Sequence, residues 1–231
     1  MLIDYLKNTQ ANLIEQLNNF YTPGGIHVYV KDALINDDID VEEVVGRIED
    51  IVPIHLLSEI EMIIIGQFEE FAEQDINAFY KDGTLHITNA EPDAKGMFDD
   101  IVHELAHSVE NVYGYEVYAD QKIKDEFLRK RKYLHDMLWA KGYKAPLNFF
   151  MDVEYNKEFD EFLYKTVGYG KLSSISQGVF ISAYAPTSLQ EYFATGFLEF
   201  YLNDDHNFLR KTCPQLYKKL FLLQNEEKLD N

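Results

Sequence analysis

Two histidines and a glutamate in the segment IVHELAHSVE are the residues whose types and spacing best fit metal chemistry. His103 and His107 are four residues apart, so on a helix both imidazoles project from one face and can bind one cation. Neutral imidazole is a suitable zinc ligand. Glu104 lies beside the first histidine, where it can move a proton from an attacking water to a leaving amine. The segment predicts a zinc-dependent hydrolase. The alternative is that the two histidines are solvated or core residues that bind no metal, beside a glutamate without a chemical role.

A catalytic zinc site needs a third protein ligand. The extended motif with a third histidine is absent, because Tyr113 stands at that position. Thermolysin-like enzymes carry a glutamate on the following helix, which here falls near Asp125 and Glu126. The surrounding segment KIKDEFLRKRK is dominated by charge and indicates a solvated helix face instead.

Glu191, in the segment SLQEYFATGFLEFYL, is the better candidate for the third ligand. Its neighbours are strongly apolar, which predicts a buried helix with Glu191 in the first turn. Ser188 and Glu191 also fit a capping box, in which Glu191 only closes the helix start. A box from Thr187 to Gln190 fits equally well and leaves Glu191 available for a metal.

Hydrophobic periodicity predicts the elements that position these residues. Two amphipathic helices are expected, over 2–20 and over 40–58, the second interrupted at Pro53. Strands are expected at Ile26–Val30 and Ile60–Ile65. The N-terminal half is therefore predicted to contain a small sheet covered by helices.

A hairpin and a long helix follow. Asn77–Tyr80 and Thr84–Thr88 flank a turn containing Asp82-Gly83, a pair typical of tight hairpins. Pro92-Asp93 opens the motif helix, and Gly114 is a plausible end for it. One buried face of this helix is expected to consist of Met97, Phe98, Ile101, Val102, Leu105, Val109 and Val112.

From about 115 onward the chain is predicted to be helical, except over 167–187. No repeat, low-complexity tract or linker divides the sequence. The expected architecture is α+β: a small mixed sheet with helices, followed by a mainly helical C-terminal half. We expect a single domain over 1–231, with an N-terminal lobe over 1–114 and a helical lobe over 115–231.

Composition limits the partners. The chain has 231 residues, 46% of them hydrophobic, and a formal net charge of −19, which disfavours nucleic acid. Cys213 is the single cysteine and cannot form an internal disulfide. No apolar run is long enough to span a membrane. The first residues do not resemble a signal peptide, which suggests a cytoplasmic protein, or a secreted one if a leader has been removed.

Three segments resemble the anthrax lethal-factor-like metallopeptidases, a group that includes the Pro-Pro endopeptidases. They are INAFYKDGTLHIT, IVHELAHSVE and SAYAPTSLQEYFATGF, within a region from about Glu61 to Leu220. The third segment is the most specific, because Tyr184 precedes Glu191 by seven residues, as the catalytic tyrosine precedes the third zinc ligand in that family. The resemblance implies a zincin-like fold and an endopeptidase acting on a peptide or protein.

The resemblance also implies roles for individual residues. His103, His107 and Glu191 would bind zinc, and Glu104 would be the general base. Tyr184 would donate a hydrogen bond to the oxyanion of the tetrahedral intermediate. Thr84–Thr88 would match the edge strand that pairs with an extended substrate.

Two features depart from the family pattern. The family usually carries a second acidic residue one turn after the third ligand, and Thr195 stands there. Roughly 84 residues separate His107 from Glu191, more than is usual, so an insertion is expected within about 115–175. The insertion could set specificity, act as a lid or bind a partner. Its basic cluster is expected to be a solvated helix face; it comprises Lys122, Lys124, Arg129, Lys130, Arg131 and Lys132.

These departures favour a rival hypothesis, a catalytically inactive zincin-like binding protein with a structural metal site. Among the other candidates, Glu110 could hydrogen-bond a metal-binding imidazole, or could simply be a helix surface residue. The remaining histidines lack ligand spacing and are expected to be structural or exposed; they are His27, His55, His86, His135 and His206.

Overall fold

The computed structural model describes residues 18–74, 76–226 and 229, which form helices and one five-stranded mixed sheet. The predicted combination of helices and a small mixed sheet is confirmed. Two compact units divide the chain, Met1–Ser108 and Val109–Asn231, and the single domain stays a prediction. None of the described helices combines the length and the apolar character that a bilayer crossing requires.

The sheet lies in the first unit and has the strand order β1-β2-β3-β5-β4. The three inner strands are parallel, and the two outer strands are antiparallel to their neighbours. The strands are β1 (Asn19–Tyr21), β2 (His27–Val30), β3 (Met62–Gly66), β4 (Ala78–Lys81) and β5 (Thr84–Thr88).

The hairpin formed by β4 and β5 is confirmed, but its edge strand is not the predicted one. Asp82 and Gly83 have φ values of 47° and 79°, the left-handed conformations that a two-residue hairpin turn requires. Because β5 pairs with β3 as well as with β4, Thr84–Thr88 is an inner strand. The expectation that it forms the edge is wrong, and Ala78–Lys81 takes that place.

One face of the sheet carries the core of the first unit. Alternate residues of the inner strands are almost inaccessible to solvent; they are Val28, Val30, Ile63, Ile65, Leu85 and Ile87. A small apolar cavity beside this face is lined by residues of the strands and of two helices, including Val45, Ile48, Ile101 and Leu105. The same face is therefore covered by the helix before β3 and by the motif helix.

The helix expected over 40–58 is confirmed, whereas the short helix after β3 was not predicted. Helix α1 (Val41–Ile51) begins after Asp40, whose carboxylate accepts a 3.0 Å hydrogen bond from a first-turn N–H. A 3₁₀ turn at Ile54–Leu56 follows Pro53, where the interruption was expected. Helix α2 is Glu69–Gln74. The predicted helix over 2–20 falls mainly outside the described residues, and its last part is strand β1.

The motif helix α3 (Ala94–Tyr118) begins where predicted. Asp93 caps it by accepting a 2.8 Å hydrogen bond from a backbone N–H of the first turn. The predicted apolar face is buried except for Val112, which is 42% exposed. A non-helical residue, Tyr113, kinks the helix, which then continues beyond the end predicted at Gly114.

The second unit is helical, as expected. Beyond the end of α3 it contains α4 (Lys122–Ala140), α5 (Leu147–Met151), α6 (Lys157–Glu161), a π-helical turn (Phe162–Val167), α7 (Tyr169–Ser176), α8 (Leu189–Leu202), α9 (Asn207–Thr212) and α10 (Pro214–Leu223). Helix α7 lies inside 167–187, where no helix was predicted. Gly168, with a φ of 83°, makes the turn into it.

The basic cluster at 122–132 is not wholly a solvated face. Arg131 is 0% exposed, and its guanidinium donates to the carbonyls of Asp152, at 2.6 Å, and Phe149. Burial lowers its pKa to about 9. Lys130 donates to the carbonyl of Thr212 at 2.6 Å. These two side chains stabilise the packing of the helices, so the prediction was wrong for them.

Candidate metal site

The two motif histidines lie on one side of helix α3, as their spacing predicts. Their ring centroids are 5.2 Å apart and their planes are inclined by 79°. Both side chains are partly exposed, whereas the flanking Leu105 and Ala106 are buried. The helix therefore buries its apolar face and leaves both imidazoles on its accessible side.

Glu191 joins the two histidines in a possible metal-binding triad. One ligand atom from each of His103, His107 and Glu191 can be chosen so that the atoms all lie within 4.8 Å of one another. This is the one group of three or more such side chains in the described part of the chain that could hold an ion. Two imidazole nitrogens and one carboxylate oxygen form a donor set suited to a divalent transition metal.

Helix capping fixes the backbone at Glu191. Ser188 is the N-cap of helix α8, and its hydroxyl accepts a 3.0 Å hydrogen bond from the backbone N–H of Glu191. The alternative cap at Thr187 is therefore wrong: that hydroxyl donates to the carbonyl of Tyr184. The cap bonds to the backbone N–H of Glu191 and so fixes the first turn of the helix. The carboxylate of Glu191 takes no part in this bond.

Thr195 occupies the position where the resembling family has an acidic residue. Its hydroxyl donates to the backbone carbonyl of Glu191 at 2.7 Å. A hydroxyl bonded to the preceding turn is a common arrangement for threonine on a helix. The Thr195 hydroxyl therefore lies against the first turn of the helix that carries Glu191.

Glu104 contacts the edge strand. The backbone N–H of Tyr80 donates a 3.0 Å hydrogen bond to Glu104 Oε2. The carboxylate is partly exposed, so it is oriented by the strand while it keeps access to solvent. Sequence reasoning missed Tyr80, because a backbone group leaves no signal in residue type.

The register of β4 defines its outer edge. The N–H of Thr88 donates to the carbonyl of Asn77 at 2.8 Å, and backbone bonding alternates along an antiparallel pair. Phe79 and Lys81 therefore bond inward to β5, while Ala78 and Tyr80 direct their backbone groups outward. The bond from Tyr80 to Glu104 agrees with this alternation.

Tyr184 lies in the turn before helix α8 and is partly exposed. Its ring packs edge-on against Tyr169, with centroids 6.2 Å apart. Asp160 accepts hydrogen bonds from Tyr169 at 3.0 Å and from Tyr155 at 3.1 Å. The pKa of Tyr155 is raised to about 12, mainly by burial and Asp160, with a contribution from the charge of Glu191. Asp160 thus binds both Tyr155 and Tyr169, and Tyr169 contacts Tyr184.

Two carboxyl groups, the buried Glu91 and the partly exposed Asp100, come shortly before the histidines in the chain. Glu91 is 2% exposed and is hydrogen-bonded to Asp100. Burial, with the charge of Asp100, raises the pKa of Glu91 to about 8. Burial also raises the pKa of Asp100, an effect that Glu91 and the nearby His103 partly offset. Glu91 is therefore protonated near neutral pH.

The other candidate residues have structural roles. Glu110 is 8% exposed and its carboxylate accepts the hydroxyl of Tyr118, so it is not a surface residue. Glu126, in the rejected position for a third ligand, accepts from the hydroxyl of Tyr192 and the N–H of Gln215, both at 2.9 Å. No histidine beyond the motif joins a metal-binding group in the described residues.

Comparisons with known proteins give no further information about the candidate metal site. No protein-family model matches the chain, and neither the curated proteins nor the solved structures give a match to it. The resemblance to lethal-factor-like metallopeptidases therefore rests on the three sequence segments alone.

Proposed function

We propose that this chain is a zinc-dependent endopeptidase of the zincin type, similar to the lethal-factor-like metallopeptidases. The observation that carries the proposal is the convergence of His103, His107 and Glu191, whose ligand atoms lie within 4.8 Å of one another. A motif glutamate beside such a triad is the arrangement that zinc peptidases use.

Zinc is the metal that the donor set favours. Two imidazoles and one carboxylate are the ligand types of catalytic zinc sites, which leave one coordination position open. When bound there, zinc would lower the pKa of a coordinated water to about 7 and polarise the scissile carbonyl. The cap at Ser188 keeps the first turn of α8 fixed, which holds Glu191 for this role.

Glu104 and Tyr184 supply the remaining chemistry. Glu104 takes a proton from the attacking water and passes it to the leaving amine. The hydrogen bond from Tyr80 orients the carboxylate of Glu104, and this bond uses only one of the two carboxylate oxygens. Tyr184 donates a hydrogen bond to the oxyanion that develops on the substrate. Its contact with Tyr169, itself anchored by Asp160, limits the positions its ring can take.

The outer edge of β4 is the proposed substrate-binding strand. Ala78 and Tyr80 direct backbone groups away from β5. The N–H of Tyr80 bonds to Glu104, and an extended peptide can pair with the other outward groups of this edge. The hydrogen bond between Tyr80 and Glu104 links this strand to the general base. A peptide paired along Ala78–Lys81 would therefore run past the catalytic glutamate.

A zinc-binding protein without catalysis is the alternative function. The observation that favours it is Thr195, because a threonine cannot provide the outer carboxylate that usually tunes a zinc site. In that case the triad would stabilise the fold around the metal, and Glu104 would have no chemical role.

Digestion of an unbiased peptide library separates the two functions. The full chain, reconstituted with zinc, is incubated with the library, and new peptide ends are identified by mass spectrometry. We expect cleavage that chelation abolishes and zinc restores, and no cleavage by Glu104→Gln loaded with the same amount of zinc. Stoichiometric zinc binding without any cleavage would favour the binding protein.

A further inference from the structure

A groove in the second unit is lined mainly by apolar and basic side chains, although the whole protein has a net charge of −19. It lies between helices α4 and α10 and has a volume of about 990 Å³. Apolar side chains contribute to its lining: Leu128 from α4, Leu222 from α10 and Met151 from the end of α5. Met151 is 42% exposed, so part of this apolar surface is accessible to a partner.

Basic side chains surround the apolar residues. The groove is lined by five of the chain's 21 lysines and arginines but by only two of its 40 acidic residues. The five are Lys122, Arg129, Lys132, Lys218 and Lys219. In a chain of net charge −19 this concentration makes a local region of positive potential.

The nearby carboxylates neutralise only part of this charge. Asp120 pairs with Lys122 at 3.0 Å and with Lys219 at 3.2 Å, so one carboxylate serves two lysines. Arg129 donates instead to a backbone carbonyl. Among the ion pairs between described residues, none joins Arg129 or Lys218 to a carboxylate. Both side chains are exposed, and their charges can therefore meet a partner.

We propose that this groove binds an acidic, amphipathic helix of a partner protein. Carboxylates on such a helix meet the basic rim, and its apolar side chains cover Leu128, Met151 and Leu222. An apolar floor favours this occupant over nucleic acid, since phosphates need no apolar surface. The inference does not depend on the proposed peptidase activity.

A designed peptide tests the proposal on the full-length chain. The probe is a fluorescein-labelled peptide of about 18 residues, or five helical turns, with leucines on one face and glutamates on the other. We expect saturable binding by fluorescence anisotropy. A scrambled peptide of the same composition should bind at least about tenfold more weakly, because its leucines no longer share one face.

Charge-reversed variants locate the binding site. We expect Arg129→Glu with Lys218→Glu to weaken binding at least about tenfold. A matched control outside the groove, Lys157→Glu with Lys211→Glu, carries the same change in net charge and should weaken it less than about twofold. Met151→Gln should also weaken binding, and circular dichroism checks that each variant is folded.

Four results would overturn the proposal. Equal binding of the scrambled peptide, or equal effects of the two double variants, would reduce the interaction to unspecific attraction of anions. Absence of saturable binding would remove the site. A DNA duplex or anionic phosphatidylserine vesicles that bind more tightly than the peptide, and lose binding in the groove variant, would assign the groove to a different class of partner.

Discussion

The backbone N–H of Tyr80 donates a 3.0 Å hydrogen bond to the carboxylate of Glu104. The bond joins the edge strand β4 to the glutamate of the motif helix, 24 residues later in the sequence. If the strand holds an extended substrate, the same contact sets the position of the proton acceptor relative to the scissile bond. This position fits a role for Glu104 in proton transfer.

Replacing Glu104 with Gln should remove cleavage and retain zinc. The amide oxygen can still accept the bond from Tyr80, but the amide cannot take up a proton from water. We expect turnover to fall by at least about 100-fold, the lower range for general acid–base catalysis. Zinc content is measured in parallel by mass spectrometry. Cleavage at the parental rate by the zinc-loaded variant would remove Glu104 from the mechanism.

Glu191→Ala should weaken zinc binding, since it removes one of the three proposed ligands. We expect a loss of about 100-fold or more, above the range of groups that only orient ligands. A competitive chelator titration measures the dissociation constant.

Two controls on helix α8 separate ligation from helix stability. Glu199→Ala removes another partly buried glutamate and should leave zinc affinity unchanged. Ser188→Ala removes the cap, which should cost about 1 kcal/mol of stability while zinc remains bound. A Glu191→Ala variant that binds zinc as tightly as these controls would exclude Glu191 as a ligand.

Tyr184→Phe should lower kcat without changing zinc affinity. The variant keeps the aromatic contact with Tyr169 and loses only the hydroxyl that we assign to the oxyanion. A reduction of about 10²–10³-fold in kcat with little change in KM is expected. Tyr164→Phe is the control, because Tyr164 is 52% exposed. Similar kinetics for the two variants would argue against a catalytic hydroxyl at Tyr184.

Glu91→Gln should remove a pH-dependent loss of stability. The pKa of Glu91 is raised to about 8, so the folded chain holds a proton that the unfolded chain releases near its ordinary carboxyl pKa. The stabilising contribution is complete below that ordinary value and is lost as the pH rises through about 8. The glutamine variant cannot ionise. Its free energy of unfolding minus that of the parent should therefore increase by at least about 2 kcal/mol between about pH 5 and about pH 9.

Urea unfolding in the presence of a chelator measures this difference without a contribution from metal. Glu59→Gln, at an exposed position, should show no such dependence. A constant difference between the Glu91 variant and the parent across the pH range would mean that the carboxyl pair is ionised in the folded chain.

Arg131→Lys should destabilise the chain although it keeps the charge. The buried guanidinium donates to two carbonyls, those of Phe149 and Asp152, and a lysine ammonium cannot match this planar geometry. A loss of about 1–3 kcal/mol in the free energy of unfolding is expected. The neighbouring Arg129→Lys is an exposed control and should change little. Equal free energies of unfolding for the Arg131→Lys variant and the parent would show that the two guanidinium hydrogen bonds do not stabilise the fold.

The elements predicted from the sequence are those that depend on local chemistry. The turn at Asp82-Gly83 follows from residues that tolerate positive φ, and the spacing of His103 and His107 places both on one helix face. Helix α8 was predicted from its apolar residues, although Ser188, and not Thr187, proved to be its cap. The association of Glu191 with the two histidines agrees with the predicted ligand set.

Features decided by distant partners were missed. The edge position of β4 depends on the pairing of β5 with β3, which the hairpin sequence does not contain. Arg131 lies in a charge-rich segment, and its burial depends on carbonyls at Phe149 and Asp152. Likewise, the bond from Tyr80 to Glu104 joins a backbone group to a side chain on another element.

The most direct test of the metal site is X-ray absorption at the zinc edge, recorded on the full chain loaded with one equivalent of zinc. We expect only nitrogen and oxygen neighbours, at about 2.0–2.1 Å, with the outer-ring scattering of two imidazoles. His103→Ala should lose the signal of one imidazole. A sulfur neighbour at about 2.3 Å, or a parental spectrum without any imidazole scattering, would contradict the assignment of His103, His107 and Glu191 as the ligands.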